Sequence, residues 1–471
     1  MAQAEVFGMN RKSMIATGAA LVLLLGGAGG AYYYVDHKKS SEEAAEKAEA
    51  DSLNLFSFDS NTVKGIDITN EDGYFHMTVG QSGDWQMEET DYPYEFSLNS
   101  FNLNVIASTM SKLKADHKAE AQDLSKYGLE QPVTVVCHTA DGDYTLLVGG
   151  SSVTNEFCYV MKPDDDTIYC IDRELGTELR GDIATLRSNY LLNCYDNEIK
   201  HFSVEHNGEV CYDLSRDTES TSMWTLNAPQ TGVTVDAVKI NNVLTSIVRV
   251  QTSNFECFTK DESVLAKHGL DKPAYTFTVV TDEKTYTLEF PEFGIDDEEV
   301  WCYDAGSCAV FSITSGEAAF LSGKWSDLTV KQAMSVPFMS AAALEITVDG
   351  DTHTLNIDHE KQNYVFDDID VTAKGSEEAS VDFEYLYASV SEIAHGEYRN
   401  DIPEKMGEPT CTFRYTLTDG TERELALVPV DDANYWAYVD GECLGMTVEK
   451  TAITGENGCL NFIARLNADL A

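Results

Sequence analysis

Basic residues are scarce in this sequence. Its 471 residues hold 32 lysines and arginines against 80 aspartates and glutamates, a formal net charge of −48. That deficit disfavours nucleic acid and anionic lipid headgroups as partners, because both are polyanions. The acids are spread between apolar stretches rather than gathered in a tail, which indicates a folded, solvated acidic surface. Local clusters such as Asp164-Asp165-Asp166 and Asp296-Asp297-Glu298-Glu299 lack the Asp-x-Asp-x-Asp-Gly order of a calcium loop. Catalytic signatures are missing too: there is no Gly-x-Ser-x-Gly elbow, His-Glu-x-x-His pair, Walker loop or Rossmann fingerprint. The ten histidines show no helical pair at metal-ligand spacing, and none of the 11 cysteines forms a Cys-x-x-Cys pair. The sequence therefore nominates no catalytic residue, no metal ligand and no cofactor, and nothing in it selects a hydrolase.

What is present is enough for a packed core, with 43% hydrophobic and 10% aromatic residues. The length suits about three domains. Residues 14–35 carry no charge; as a helix they would span about 33 Å, enough for a bilayer core of about 30 Å. Tyr32, Tyr33 and Tyr34 stand where an interfacial aromatic belt would lie. Arg11 and Lys12 on one side balance Lys38 and Lys39 on the other, so flanking charge does not orient the segment. A short tail, one apolar segment and a long C-terminal domain read as a signal-anchor with the N-terminus in the cytoplasm. A cleavable signal peptide, with Gly29 and Ala31 before the cut, is the alternative. Residues 40–50 read SSEEAAEKAEA, a solvated helical stalk opened by a Ser40/Glu43 capping box.

Internal repetition is the most informative feature of the remainder. Lys126-Tyr-Gly-Leu-Glu-Gln-Pro132 precedes VTVVCHTADGDYTLLVG, and Lys267-His-Gly-Leu-Asp-Lys-Pro273 precedes AYTFTVVTDEKTYTLEF. A weaker copy, Lys405-Met-Gly-Glu-Pro409, precedes TCTFRYTLTDGTERELALV. Gly128, Gly269 and Gly407 lie 141 and 138 residues apart; Trp85, Trp224 and Tyr364 keep a similar period. Asn99, Asp236 and Asp382 read as N-caps of helices with one apolar face: Leu103, Ile106, Met110 and Leu113; then Ile240, Val243, Leu244 and Ile247; then Tyr385, Leu386, Ser389 and Ile393. The expected fold is α+β: three tandem related units, each an antiparallel sheet with one main helix packed on it, after a single N-terminal transmembrane helix. The expected organisation is a cytoplasmic tail (1–13), transmembrane signal-anchor (14–35), acidic stalk (36–55) and repeat units at 56–195, 196–335 and 336–471.

In the turn motif, Gly128 and Gly269 supply unusual backbone angles, Leu129 and Leu270 plug the core, and Pro132 and Pro273 open a strand where no amide donor is needed. Trp85 and Trp224 read as sheet-packing anchors. His268 lies inside the motif but meets Tyr127 and Met406 in the other copies, so it is expected to pack in the turn. Cys158 with Cys170, and Cys302 with Cys308, flank the hairpin that closes each of the first two units. They are candidate disulfides in an extracytoplasmic setting, with buried free thiols as the alternative.

The pattern YGLEQPVTVVCHTADGDYTLLVG with FCYVM and IYCID, its second copy KHGLDKPAYTFTVVTDEKTYTLEF, the N-terminal anchor and the tryptophan before the helix together resemble the DUF4340 family of uncharacterised bacterial proteins. The resemblance covers most of residues 56–335; the third unit departs by losing the leucine and one residue of the turn. It implies no catalytic residues. It does imply association with ABC transporter components, including gliding-motility-type auxiliary proteins. The expected function is a non-catalytic accessory or interaction subunit of an ABC-type transport system, held in the cell membrane by one span with most of the chain extracytoplasmic. A permease or auxiliary subunit is the expected partner. The alternative is a cell-envelope binding module for glycan, peptide or cations.

Overall fold

Alternation of side chains builds the first strands. In Val63–Thr69, Ile66 and Ile68 are fully buried while Asp67 between them turns the other way, the period-two pattern of a strand with one packed face. The computed structural model describes residues 47–120, 123–216, 223–294, 296–374 and 377–471. The expected tail, the anchor and the Ser40/Glu43 capping box lie outside the described residues. No helix among the described residues is long and apolar enough to cross a membrane. The chain divides into two compact parts, Met1–Asn189 and Tyr190–Ala471.

The first part holds one antiparallel sheet. Its strands are β1 (Val63–Thr69), β2 (Tyr74–Val79), β3 (Trp85–Thr90), β4 (His117–Lys118), β5 (Val133–Thr139), β6 (Gly142–Ser151), β7 (Phe157–Met161) and β8 (Tyr169–Asp172). They lie in the order β3-β2-β1-β5-β6-β7-β8-β4. Strands β3 and β4 occupy opposite edges, so the helix Ser100–Ser111 between them carries the chain across the sheet. It lays Leu103, Ile106 and Met110 against Ile66, Ile68, Phe75 and Val135 in one core. Asn99 caps it as expected, its side chain accepting from the Asn102 amide at 3.1 Å.

The second part holds two such sheets. One comprises β9 (His201–His206), β10 (Glu209–Arg216), β11 (Trp224–Ala228), β12 (Asn254–Phe258), β13 (Tyr275–Val280), β14 (Thr285–Phe290), β15 (Glu299–Asp304) and β16 (Ala309–Thr314). Its order, β11-β10-β9-β13-β14-β15-β16-β12, matches the first sheet position for position. Asp236 caps the crossing helix Ala237–Ile247, accepting from the Val238 and Lys239 amides. The other comprises β17 (Ala341–Val348), β18 (Asp351–Asp358), β19 (Asn363–Phe366), β20 (Ile369–Asp370), β21 (Cys411–Leu417), β22 (Glu422–Pro429), β23 (Asn434–Val439) and β24 (Glu442–Glu449). Its order is β20-β19-β18-β17-β21-β22-β23-β24. Here the segment after the helix makes only one bridge to the last strand, Tyr398 with Met446, flanked by Gly396 N–H to Thr447 O and Arg399 N–H to Gly445 O. The strands β1 and β17 share an irregularity, a register shift between Val63 and Gly65 and between Ala341 and Ala343. The described architecture is thus an α+β mixture of three antiparallel eight-stranded sheets with helices.

The third helix departs from expectation. Asp382 is not an N-cap: it lies inside the helix Glu377–Ser391 and is buried. Residues 377–381 are Glu, Glu, Ala, Ser and Val, and the helix runs through them, carrying Asp382 into the core. Its carboxylate is paired there: Arg465 of the C-terminal helix Cys459–Leu470 donates from Nε to Oδ2 at 3.0 Å and contacts Oδ1 through Nη2. The buried stripe is accordingly Phe383, Leu386, Tyr387 and Val390, while Tyr385 is exposed.

Candidate functional site

Within the second part, a cavity of about 870 Å³ opens beside β9, β10 and the 321–331 and 395–400 segments. Aromatic rings form two of its walls. His206 stacks on Tyr275 with ring centres 4.2 Å apart, and Trp325 packs at 4.3 Å on Tyr398. Lys324 and Lys331 share the lining with Asp327 and Glu397, so its formal charges balance. His395 is committed to the fold, since Nδ1 faces Gly396 O at 2.7 Å and Nε2 faces Val330 O at 3.0 Å. Flat rings with polar groups of both signs nearby suit a planar or polyhydroxylated ligand.

A second constellation lies on the first sheet, on the face away from its core. Asp67 on β1 stands directly opposite His76 on β2, and His138 on β5 stands opposite both Gly65 on β1 and Asp143 on β6. The Asp67 carboxylate contacts His76 Nδ1 through one oxygen and lies 3.0 Å from His138 Nε2 through the other. His138 Nδ1 meets Asp143 Oδ1 at 2.8 Å. Burial works to lower the His138 pKa, but the neighbouring carboxylates of Asp143 and Asp67 raise it above the ordinary imidazole value. Sequence reading missed this group because its members are brought together by strand pairing, a register no linear spacing displays. The alternation that turns Ile66 and Ile68 inward, and Asp67 outward, was the available signal.

A family model described as a domain of unknown function, DUF4340, matches residues 85–273. Residues 85–273 are thus similar to a DUF4340 domain. The DUF4340 segment begins at Trp85, the first residue of β3, and ends at Pro273, shortly before β13. No curated protein matches the chain. A solved structure with 7% identity is the crystal structure of a putative DNA polymerase III beta subunit from Eubacterium rectale, with 85% of this chain and 93% of that chain covered; its TM-score of 0.13 carries no argument.

The landmarks of the DUF4340 segment are built into the packing. Gly128 and Gly269 both adopt left-handed backbone angles, with φ of 66° and 72°, and Leu129 and Leu270 are buried. Pro132 directly precedes β5. Trp85 donates from Nε1 to Asn104 Oδ1 at 3.0 Å, tying β3 to the crossing helix. Trp224 packs edge-on to Phe202 under the Arg216 guanidinium. His268 stacks on Trp301 at 3.7 Å and faces Glu256 at 3.2 Å, a packing role in the turn.

The candidate disulfide partners do not face each other. Cys158 stands opposite Ile171, and Cys170 opposite Tyr159, so adjacent positions of β8 turn the two thiols to opposite faces. Cys302 stands opposite Phe311 on β16, whereas Cys308 lies in the turn at φ 65°. All 11 cysteines are free. Burial pushes the Cys137 and Cys459 thiols up to about 12 and Cys194 to about 11, which suppresses the reactive thiolate. We expect iodoacetamide to label Cys137, Cys302 and Cys459 only after denaturation, and then without any reductant. Intact-mass spectrometry that finds fewer than 11 adducts in denaturant would place a disulfide in the chain.

Proposed function

We propose that the protein is a non-catalytic accessory subunit of an ABC-type transport system, anchored in the cell membrane by residues 14–35 with its bulk extracytoplasmic. The observation that carries this reading is an uncharged 14–35 segment upstream of the DUF4340 match. In this reading the soluble part is three copies of one sheet-and-helix unit. The matching strand orders of the first two sheets and the bulge shared by β1 and β17 support that repetition. Three such units present long solvated acidic faces suited to a protein partner rather than to a polyanion. Affinity purification of the full chain from membranes in mild detergent is the test. Recovery of a permease or auxiliary transporter subunit is the expected result, and its absence under crosslinking sinks the reading. Protease added outside intact spheroplasts should degrade the soluble part; protection would place it in the cytoplasm.

A second reading, an envelope module that binds glycan or peptide, draws on the aromatic and lysine-lined cavity beside β9. Isothermal titration with oligosaccharides would reveal it, with Trp325→Ala abolishing the heat. A flat titration removes this form of the reading.

A further inference from the structure

We propose that Asp67, His76 and His138 bind a divalent transition-metal ion of the zinc class on the outer face of the first sheet. Their donor atoms lie within 4.8 Å of one another on the adjacent strands β2, β1 and β5. Two imidazoles and a carboxylate form a donor set that suits zinc and its first-row neighbours better than calcium or magnesium, which take oxygen ligands.

The arrangement around His138 points to an ion rather than to a simple ion pair. Its Nε2 is buried and makes no hydrogen bond, although the Asp67 oxygen is only 3.0 Å away. Its Nδ1 is hydrogen-bonded to Asp143. A carboxylate on the far nitrogen fixes the Nδ1–H tautomer and leaves the Nε2 lone pair directed at the other donors, as outer-sphere carboxylates do for metal-bound histidines. Gly65 keeps the space beside the ring clear: a Cβ there would stand 3.5 Å from His138 Cδ2 and 3.2 Å from Met77 O. The ligands ride on hydrogen-bonded strands, so they are held in place before an ion arrives. Their side chains are 21–31% exposed, which leaves an entry path and a fourth position for water. Glu89 on β3, opposite His76, and Tyr74, two residues before it on the same strand face, border the site.

The third sheet shows what a purely ionic solution looks like at the matching place. There Glu345 on β17 pairs with Arg414 at 3.1 Å, and Arg414 with Glu424 at 2.8 Å. An arginine bridges both carboxylates and has no lone pair to offer a metal. On the first sheet Val136 stands where Arg414 would, and two neighbouring imidazoles that retain lone pairs flank Asp67 instead.

The test is titration of the chelator-stripped full chain with zinc chloride by calorimetry, followed by cobalt(II) spectroscopy. One ion per chain is expected, with a cobalt spectrum lacking a thiolate charge-transfer band. His76→Ala and His138→Ala should each weaken binding at least about 100-fold, and Asp143→Asn about 10-fold. His76→Gln and His138→Asn provide variants of closer shape, and a zinc-free melting curve equal to the parent's certifies their fold. Unchanged titration in these variants, or a thiolate band, overturns the site. The site is independent of the accessory role, since a transporter pull-down and a zinc titration fail separately.

Discussion

Gly128→Ala is expected to cost about 3 kcal/mol, while the same change at Gly269 costs about 1–2 kcal/mol. Both glycines hold the same place in one sequence motif, in the left-handed region, where an alanine pays about 1–2 kcal/mol for its Cβ. Their surroundings differ. A Cβ on Gly128 would stand 2.6 Å from Gly150 N and 3.1 Å from Gly150 Cα, so backbone must move. The approach is close in both directions, since a Cβ on Gly149 would lie 2.3 Å from Tyr127 O. The Gly149-Gly150 pair at the end of β6 is thus the counterpart of the turn. At Gly269 a Cβ would meet only Pro291 Cβ, at 3.2 Å, a contact that a small shift relieves. Urea unfolding of the full chain, followed by amide exchange in β5 and β6 for the first variant and in β13 and β14 for the second, checks the contrast. Equal losses would mean that conformational strain alone sets the cost.

The same comparison shows what could be read in advance. Turn, cap and tryptophan landmarks share a period because each is a local requirement: a left-handed residue, an acceptor for free amides, a large ring behind a strand. Such requirements leave marks at fixed positions, and Gly128, Gly269, Asn99, Asp236, Trp85 and Trp224 are used as their residue types indicate. Features that depend on contact between distant segments leave no such mark. Asp382 sits before an apolar-looking segment just as Asn99 and Asp236 do, and only the C-terminal Arg465 makes its burial tolerable. Gly407 looks like the third turn glycine but does not share their positive φ, and its Cβ position lies 2.9 Å from Val428 Cγ1. The Asp67–His76–His138 group was invisible for the same reason. His76 and Asp67 face each other across a hairpin, but His138 joins them only because β5 pairs with β1 rather than with β4.

The Asp382–Arg465 pair yields the second large effect, because its two ends differ in exposure. The Asp382 side chain is 4% exposed and the Arg465 side chain 50%. Arg465→Ala strands a carboxylate inside the helix pair, an uncompensated buried charge that costs about 3–5 kcal/mol where water is fully excluded. The opening left by a half-exposed arginine lets solvent approach, so a loss of about 2–3 kcal/mol is expected. Asp382→Ala should be milder, about 1 kcal/mol, because the guanidinium already reaches water and stays solvated near the Phe462 ring. The double variant should therefore be more stable than Arg465→Ala alone, an inversion that follows only if the cost lies in the stranded charge. Amide exchange across Glu377–Ser391 and Cys459–Leu470 reads it directly. If the double variant loses the sum of the two single losses, the pair is uncoupled and the arginine acts only by packing its stem against the helix.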